Sequence, residues 1–255
     1  MAFERELELA RRLAKQAGEV ALAHRGQGLR AEAKLDLSPV TAADRECERL
    51  IGAALEEVFP EDGLIGEEGA LKPSRSGRRW IIDPIDGTID YLRCIPTWSV
   101  LLALEDPAGV AVGVCCLVEQ AETYFAVRGQ GAFVNDRPLH ASGVADPGQA
   151  LLCVNGLHKI RESRWAERLF GLMARFSAVR SFGGCQDAML VASGRAEVWI
   201  EPYAREWDLA PLRVIAEEAG AVFFNFDGGS SIYGGDCVVV APGLAGLLRS
   251  VLRKP

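Results

Sequence analysis

The stretch WIIDPIDGTIDYL, residues 80–92, limits what this chain can fold into more than any other. Trp80, Ile81 and Ile82 read as a buried strand, since large aromatic and β-branched side chains favour a pleated surface. The run ends in Asp83, and Asp86 and Asp90 follow within one short turn. Pro84 biases Asp83 away from the helical region and keeps it extended. A carboxylate at the end of a buried strand is costly unless something compensates it. The fold must therefore bring a cation to this turn, or make the turn itself worth keeping.

Four stretches place acids at strand ends or helix starts: Asp44, Glu67 with Glu68, Asp83 with Asp86, and Asp208. Each has a purely structural reading. Thr41-Ala42-Ala43-Asp44 fits a capping box. Glu67 and Glu68 fit a solvated turn. Asp86-Gly87 is a common turn dipeptide. Asp208 fits the N-cap of a helix with Pro211 in its first turn. Taken together, the acids fit one chemical task. Hard cations such as Mg²⁺ take oxygen ligands from carboxylates, waters and substrate phosphate. From a tight turn Asp83 and Asp86 can face one small volume, with the Ile85 carbonyl between them. Asp83 can bridge two ions, and Asp86 can hold one. Two ions about 3.5–4 Å apart clamp a phosphoryl group on both its attacking and leaving sides. Gly87 lets the backbone approach a ligand closely. A helix starting at Thr88 would turn its free N–H groups toward phosphate, and Thr88 adds a hydroxyl to orient water.

Other chemistries fit poorly. There is no P-loop, and DPID lacks the spacing of a D-x-D nucleophile or an EF-hand. The three histidines, His24, His140 and His158, are far apart, so carboxylates must supply any metal ligands. Seven cysteines without C-x-x-C spacing read as buried thiols of a cytoplasmic protein. A net charge of −7 argues against a general nucleic-acid binder. No apolar run reaches membrane-spanning length. The first 24 residues carry charges throughout, unlike a signal peptide. They read instead as an amphipathic helix with Phe3, Leu7, Ala10, Ala14, Ala17 and Ala21 on one stripe.

Residues 29–44 read as a strand or extended arm with a turn at Ser38-Pro39. A helix from near Thr41 carries Cys47, Ile51, Ala54 and Val58 inward and ends at Pro60. A short strand and turn are expected over 63–69, and strands at 78–83, 97–104, 109–118 and 122–127, the last three as an antiparallel meander. Residues 129–136, GQGAFVND, read as a hairpin turn. Beyond residue 145 strands and helices alternate, which points to a sheet between helices. Helices are expected at 162–176, 185–194 and 207–220. The chain thus divides into an N-terminal α+β lobe (1–145) with most candidate ligands and a C-terminal α/β lobe (146–255) supplying Asp208, as one compact unit.

Three motifs in order, GEEG (66–69), WIIDPIDGT (80–88) and WDLAPLRVIAEEAGA (207–221), preceded by SPVTAADRECE (38–48), resemble the inositol monophosphatase family. Its members are magnesium-dependent phosphomonoesterases. The resemblance covers essentially the whole chain and implies a layered αβαβα sandwich of the inositol monophosphatase/fructose-1,6-bisphosphatase type. It also implies two or three Mg²⁺ ions. Glu67, Asp83 and the Ile85 carbonyl would hold the first metal, and Asp83, Asp86 and Asp208 the second. Thr88, hydrogen-bonded to Asp44, would position a water polarised by metal and Glu67. The amides of Gly87 and Thr88 would cradle phosphate, and Glu201 would contact substrate hydroxyls or amines. A homodimer is expected, with a small phosphorylated substrate and neither nucleic acid nor membrane as partner.

Within the family, KLDLSPVTAADRECE (34–48), CIPTWSVLLALE (94–105) and GRAEVWIEPYAREWDLAPL (194–212) look most like the bacterial histidinol-phosphate phosphatase branch, with two departures. Gly184 stands where that branch carries an aspartate facing the substrate amine, and Ile89-Asp90-Tyr91 replaces the usual residues after DPIDGT. Asp90 or Asp187 could replace the lost charge. Histidinol phosphate is the first expectation for substrate, inositol monophosphate the second, and a sugar bisphosphate or an adenosine 3′-phosphate the remaining alternatives. A catalytically silent metal- or phosphate-binding protein is the non-enzyme alternative.

Overall fold

In the strands of this protein, successive buried residues belong to different cores, because side chains alternate across a sheet. A computed structural model describes residues 2–26, 31–33 and 39–252. Of the expected arm, residues 29–30 and 34–38 lie outside the described residues, the turn position Ser38 among them. The first half runs α1 (Glu4–Gly26), β1 (Ala31–Ala33), β2 (Pro39–Thr41), α2 (Ala42–Val58), β3 (Gly63–Gly66), β4 (Leu71–Lys72), β5 (Arg79–Asp86) and α3 (Thr88–Leu92). A meander follows: β6 (Ser99–Asp106), β7 (Gly109–Leu117), β8 (Glu122–Val127), β9 (Ala132–Val134) and β10 (Arg137–Pro138). Then come β11 (Leu151–Val154), α4 (Leu157–Glu162), α5 (Ala166–Met173), β12 (Ala178–Arg180), α6 (Gly184–Ala192) and β13 (Val198–Glu201). The chain closes with α7 (Glu206–Glu218), β14 (Val222–Phe224), β15 (Cys237–Val240) and α8 (Ala245–Leu252).

Eight strands form one sheet in the order β10-β9-β8-β7-β6-β5-β3-β4, and five form another in the order β12-β11-β13-β15-β14. Trp80 and Ile82 face the core under α1 and α2, while Ile81 faces the core between the sheets. In the second sheet Trp199 and Val239 point into that shared core, and Val198, Ile200, Val238 and Val240 point outward to α4, α5 and α8. With α6 and α7 between the sheets, the layers are α1/α2, sheet, α6/α7, sheet, α4/α5/α8. This is the αβαβα sandwich that the resemblance implied.

The middle layer is tight. A Cβ on Gly113 of β7 would fall 2.4 Å from Val214 Cγ1 and 2.7 Å from the Pro211 carbonyl oxygen. Only glycine lets α7, which carries Asp208, lie this close to the first sheet.

Several elements differ from expectation. Strand β5 continues past Asp83 to Asp86, and its register against β6 shifts between those two residues. Pro84 has no N–H to donate, so the ladder is interrupted there without ending the strand. Strand β3 runs parallel to β5, with β4 beyond it at the edge. The helix expected over 162–176 is shorter, covering only α5, and a further short helix that was not expected, α4, ends just before it at Glu162. Helix α7 starts at Glu206, so Asp208 is its third residue and Pro211 lies in the second turn, inside the helix. The α1 stripe is buried from Ala10 to Ala21, with Leu9 and Leu13 added and Phe3 and Leu7 only partly covered. On α2, Leu55 rather than Ala54 is buried, and Val58 is only partly covered. Six cysteines are buried as free thiols, and Cys94, at the end of α3, is exposed. No helix among the described residues is long and apolar enough to cross a membrane.

Candidate metal centre

The site begins at the irregular end of β5. Asp83 is 1% exposed, and its Oδ1 accepts the backbone N–H of Ile85 at 3.0 Å. An aspartate bonding to the amide two residues ahead makes an Asx turn. This turn swings Asp86 back toward Asp83. Gly87 then takes φ +82° as the cap of α3, a left-handed conformation that glycine adopts without steric penalty. Asp208 arrives from the opposite layer. Its Oδ2 accepts the Arg205 N–H at 2.7 Å, which fixes the carboxylate at the start of α7.

One carboxylate oxygen from each of Asp83, Asp86 and Asp208 lies within 4.8 Å of the others. Among the described residues none of the three forms an ion pair. Burial pushes Asp83 well above the usual carboxylate range, and the charges of Glu67, Asp86 and Asp208 push it further. Burial pushes Asp86 up to about 6, against hydrogen bonding from Cys185. Burial, then the charge of Asp86, pushes Asp208 up to about 8. Asp86 Oδ2 is buried without a hydrogen-bond partner. Three convergent carboxylates, one with an orphaned oxygen, are costly as they stand and suit a hard divalent cation.

Glu67 follows β3, and its charge raises Asp83, Asp86, Asp208 and Asp44. It is beside the trio without belonging to the tight group. Its turn is held by a residue that sequence reasoning missed. Glu48, 4% exposed on α2, accepts the Glu68 N–H at 2.8 Å and the Ala70 N–H at 2.7 Å. The signal was its position four residues after Asp44, on the same inward helix face.

Asp44 takes its structural reading. Its Oδ2 accepts both the N–H and the hydroxyl of Thr41, at 2.8 and 2.6 Å, in a capping box. The expected hydrogen bond to Thr88 is not formed. The Thr88 hydroxyl instead donates to the Ile85 carbonyl at 3.2 Å, because the tight turn into α3 brings that carbonyl to it.

A cavity of about 310 Å³ opens at this turn, lined by Asp86, Gly87, Thr88, Asp90, Asn155 and Gly184 among others. Glu201 stands behind its wall. Its Oε2 accepts the Asn155 amide at 2.8 Å and would lie 3.6 Å from a Cβ on Gly184. Burial pushes Glu201 up to about 8. The two acids considered for the charge missing at Gly184 part company here. Asp90 lines the cavity, whereas Asp187 is fully buried on α6 and accepts the Phe182 N–H at 3.0 Å.

A family model described as the inositol monophosphatase family matches residues 4–254. A histidinol-phosphatase of Chlorobaculum parvum is 39% identical over 92% of this chain and 92% of its own. An inositol-1-monophosphatase of Mesorhizobium japonicum is 33% identical, covering 98% of this chain and 93% of its own. The crystal structure of extragenic suppressor protein suhB from Bartonella henselae superposes with a TM-score of 0.91 at 28% identity, over 98% of both chains.

Proposed function

The chain belongs to the inositol monophosphatase family and is a phosphoric monoester hydrolase, and from that premise we propose that it cleaves histidinol phosphate with Mg²⁺ as cofactor. The observation that carries the reaction is the convergence of Asp83, Asp86 and Asp208 beside a cavity floored by Gly87 and Thr88. In this reading Asp83, Asp86 and Asp208 would hold one ion, and Glu67, Asp83 and the Ile85 carbonyl would hold another. Bound magnesium neutralises charge on the phosphoryl oxygens and makes water a better nucleophile.

The chain's own groups do the rest. The backbone N–H groups of Gly87 and Thr88 hold the phosphate. Thr88 orients the attacking water, and Glu67 takes its proton. The new P–O bond forms as the ester P–O bond breaks in line, and the leaving alkoxide takes a proton from solvent, with Glu67 later returning the water's proton to solvent. No covalent phosphoenzyme forms. Asp44 supports Thr88 by fixing the start of α2 nearby. Glu201, Gly184 and Asn155 meet the part of the substrate beyond the phosphate. A homodimer in the cytoplasm completes the proposal.

The histidinol-phosphatase relative at 39% identity favours that substrate. The inositol-1-monophosphatase relative, which spans nearly all of this chain, favours inositol phosphate as the second reading. Phosphate release from both compounds, with and without Mg²⁺, tests them. At least tenfold higher kcat/KM on histidinol phosphate is expected. A preference for inositol 1-phosphate overturns the substrate, and no release from any phosphomonoester overturns the reaction in favour of a silent metal-binding protein.

A further inference from the structure

Among the described residues Asp90 is the one charged side chain of the cavity wall that the Asp83–Asp86–Asp208 group does not claim. It follows Thr88 by two residues on α3. Its Oδ2 accepts the Thr97 hydroxyl at 2.7 Å, and a Cβ on Gly183 would lie 3.2 Å from that same oxygen. The carboxylate is thus held by Thr97 and lies close against the bare Cα of Gly183. Its Oδ1 has no hydrogen-bond partner among the described residues. Among the described residues no lysine, arginine or histidine lines the cavity.

This placement is unfavourable for a bare phosphate. A second fixed negative charge beside a phosphate seat repels the dianion, and metal at Asp83, Asp86 and Asp208 would neutralise the phosphoryl oxygens without pairing Asp90 itself. The arrangement becomes favourable when the substrate carries its own cation near the ester oxygen. An ammonium donating to Oδ1 pairs with Asp90 and leaves the phosphate to the amide end of the cavity. Charge-assisted hydrogen bonds of this kind are the stronger ones.

We propose that Asp90 is a specificity-determining residue, selecting phosphomonoesters with an ammonium group close to the ester oxygen. The proposal rests on the phosphatase reading above and narrows its substrate class.

The test is a matched pair given to the full-length protein with Mg²⁺. O-Phosphoethanolamine and ethylene glycol monophosphate differ only in carrying an ammonium or a hydroxyl. Wild type is expected to favour the amine by roughly 10-fold or more in kcat/KM, mainly through KM, the range of one charge-assisted bond. Asp90→Asn keeps an acceptor for Thr97 and is expected to bring the ratio close to one. Asp90→Glu is expected to keep part of the preference. Asp90→Ser is read in the same way should the asparagine variant fail to fold. No amine preference in wild type overturns the proposal. So does a ratio left unchanged by the substitutions, which would mean that Asp90 only shapes the turn. Amine preference lost in Asp90→Asn, but without turnover of histidinol phosphate by wild type, supports the role of Asp90 and removes that substrate. Absence of release from either compound, from histidinol phosphate and from inositol phosphate ends both readings.

Discussion

Asp83 bonds to the backbone of Ile85, Oδ1 to N–H at 3.0 Å. The side chain that ends the buried run thereby shapes the turn that follows it. The register shift in β5 and the left-handed Gly87 continue that turn into α3. Asp83 therefore has two parts, turn former and charge, and they can be separated.

Asp83→Asn separates them. The amide keeps an oxygen for Ile85 and removes one of three buried like charges. The metal-free variant is expected to melt about 2–4 °C above wild type, the shift that ~1 kcal/mol gives a chain of this size. Mg²⁺ should no longer raise its melting temperature, and phosphate release should fall by roughly 10²–10³, as when a transition-state charge loses a fixed partner. Differential scanning fluorimetry with and without Mg²⁺, beside a phosphate assay, reads all three. Unchanged turnover would return Asp83 to a purely structural role.

Glu48→Gln tests the brace under Glu67. One carboxylate holds two backbone amides of that turn, and a glutamine can keep only one acceptor for them. A loss of about 1–3 kcal/mol is expected in urea denaturation, from a buried donor left unpaired. The kcat should drop more than KM rises, because the turn carries the proposed base. A stable variant with wild-type kcat would contradict this.

Stability of the metal-free protein should fall as pH rises. Asp86 titrates at about 6, and Asp208 and Glu201 at about 8, all raised first by burial. Raised carboxylates mean that the folded state binds protons more tightly than the unfolded one. Their contribution is complete below the ordinary range near pH 4 and is lost as pH climbs through 6 to 8. Asp62 and Asp106, lowered despite burial by hydrogen bonds to Arg78 and Arg128, act below this window. Asp187, pushed up to about 7 by burial, adds to the slope with or without metal. Urea midpoints at pH 5 and 8.5, in chelator and in Mg²⁺, isolate the site. The chelated protein should lose more stability across the interval. Equal slopes would mean that no metal neutralises these groups.

Gly113→Ala should disturb the site from a distance. The added methyl meets Val214 and the Pro211 carbonyl, and overpacking of this kind costs about 1–3 kcal/mol. Pushing α7 off the sheet also moves Asp208 away from Asp83 and Asp86. Weaker Mg²⁺ affinity by titration calorimetry should accompany the lost stability. Full affinity in a destabilised variant would show that α7 yields without moving its first turn.

Much of this was legible in the linear sequence, for definable reasons. Buried strands such as β6 and β7 announce themselves by apolar runs between turn residues, and the four acid stretches stand out because each ends or begins an element. What was not legible depends on contacts distant in sequence or on rules that compete. Proline usually weakens a strand, yet β5 passes through Pro84 by shifting register. Asp44 satisfied both a capping rule and a catalytic expectation, and the cap took its Oδ2. Glu48 gains meaning only when β3 brings the Glu67–Ala70 turn onto α2. Asp90 and Asp187 are equivalent acids on paper, and only the cavity tells them apart.

Asp83, Asp86 and Asp208 are predicted to share divalent cations. Crystals grown with Mn²⁺ in place of Mg²⁺ and measured at the manganese edge address it directly. An anomalous peak enclosed by these three carboxylates is predicted, with a second reaching Glu67. A map with manganese bound elsewhere and nothing among the three would contradict it.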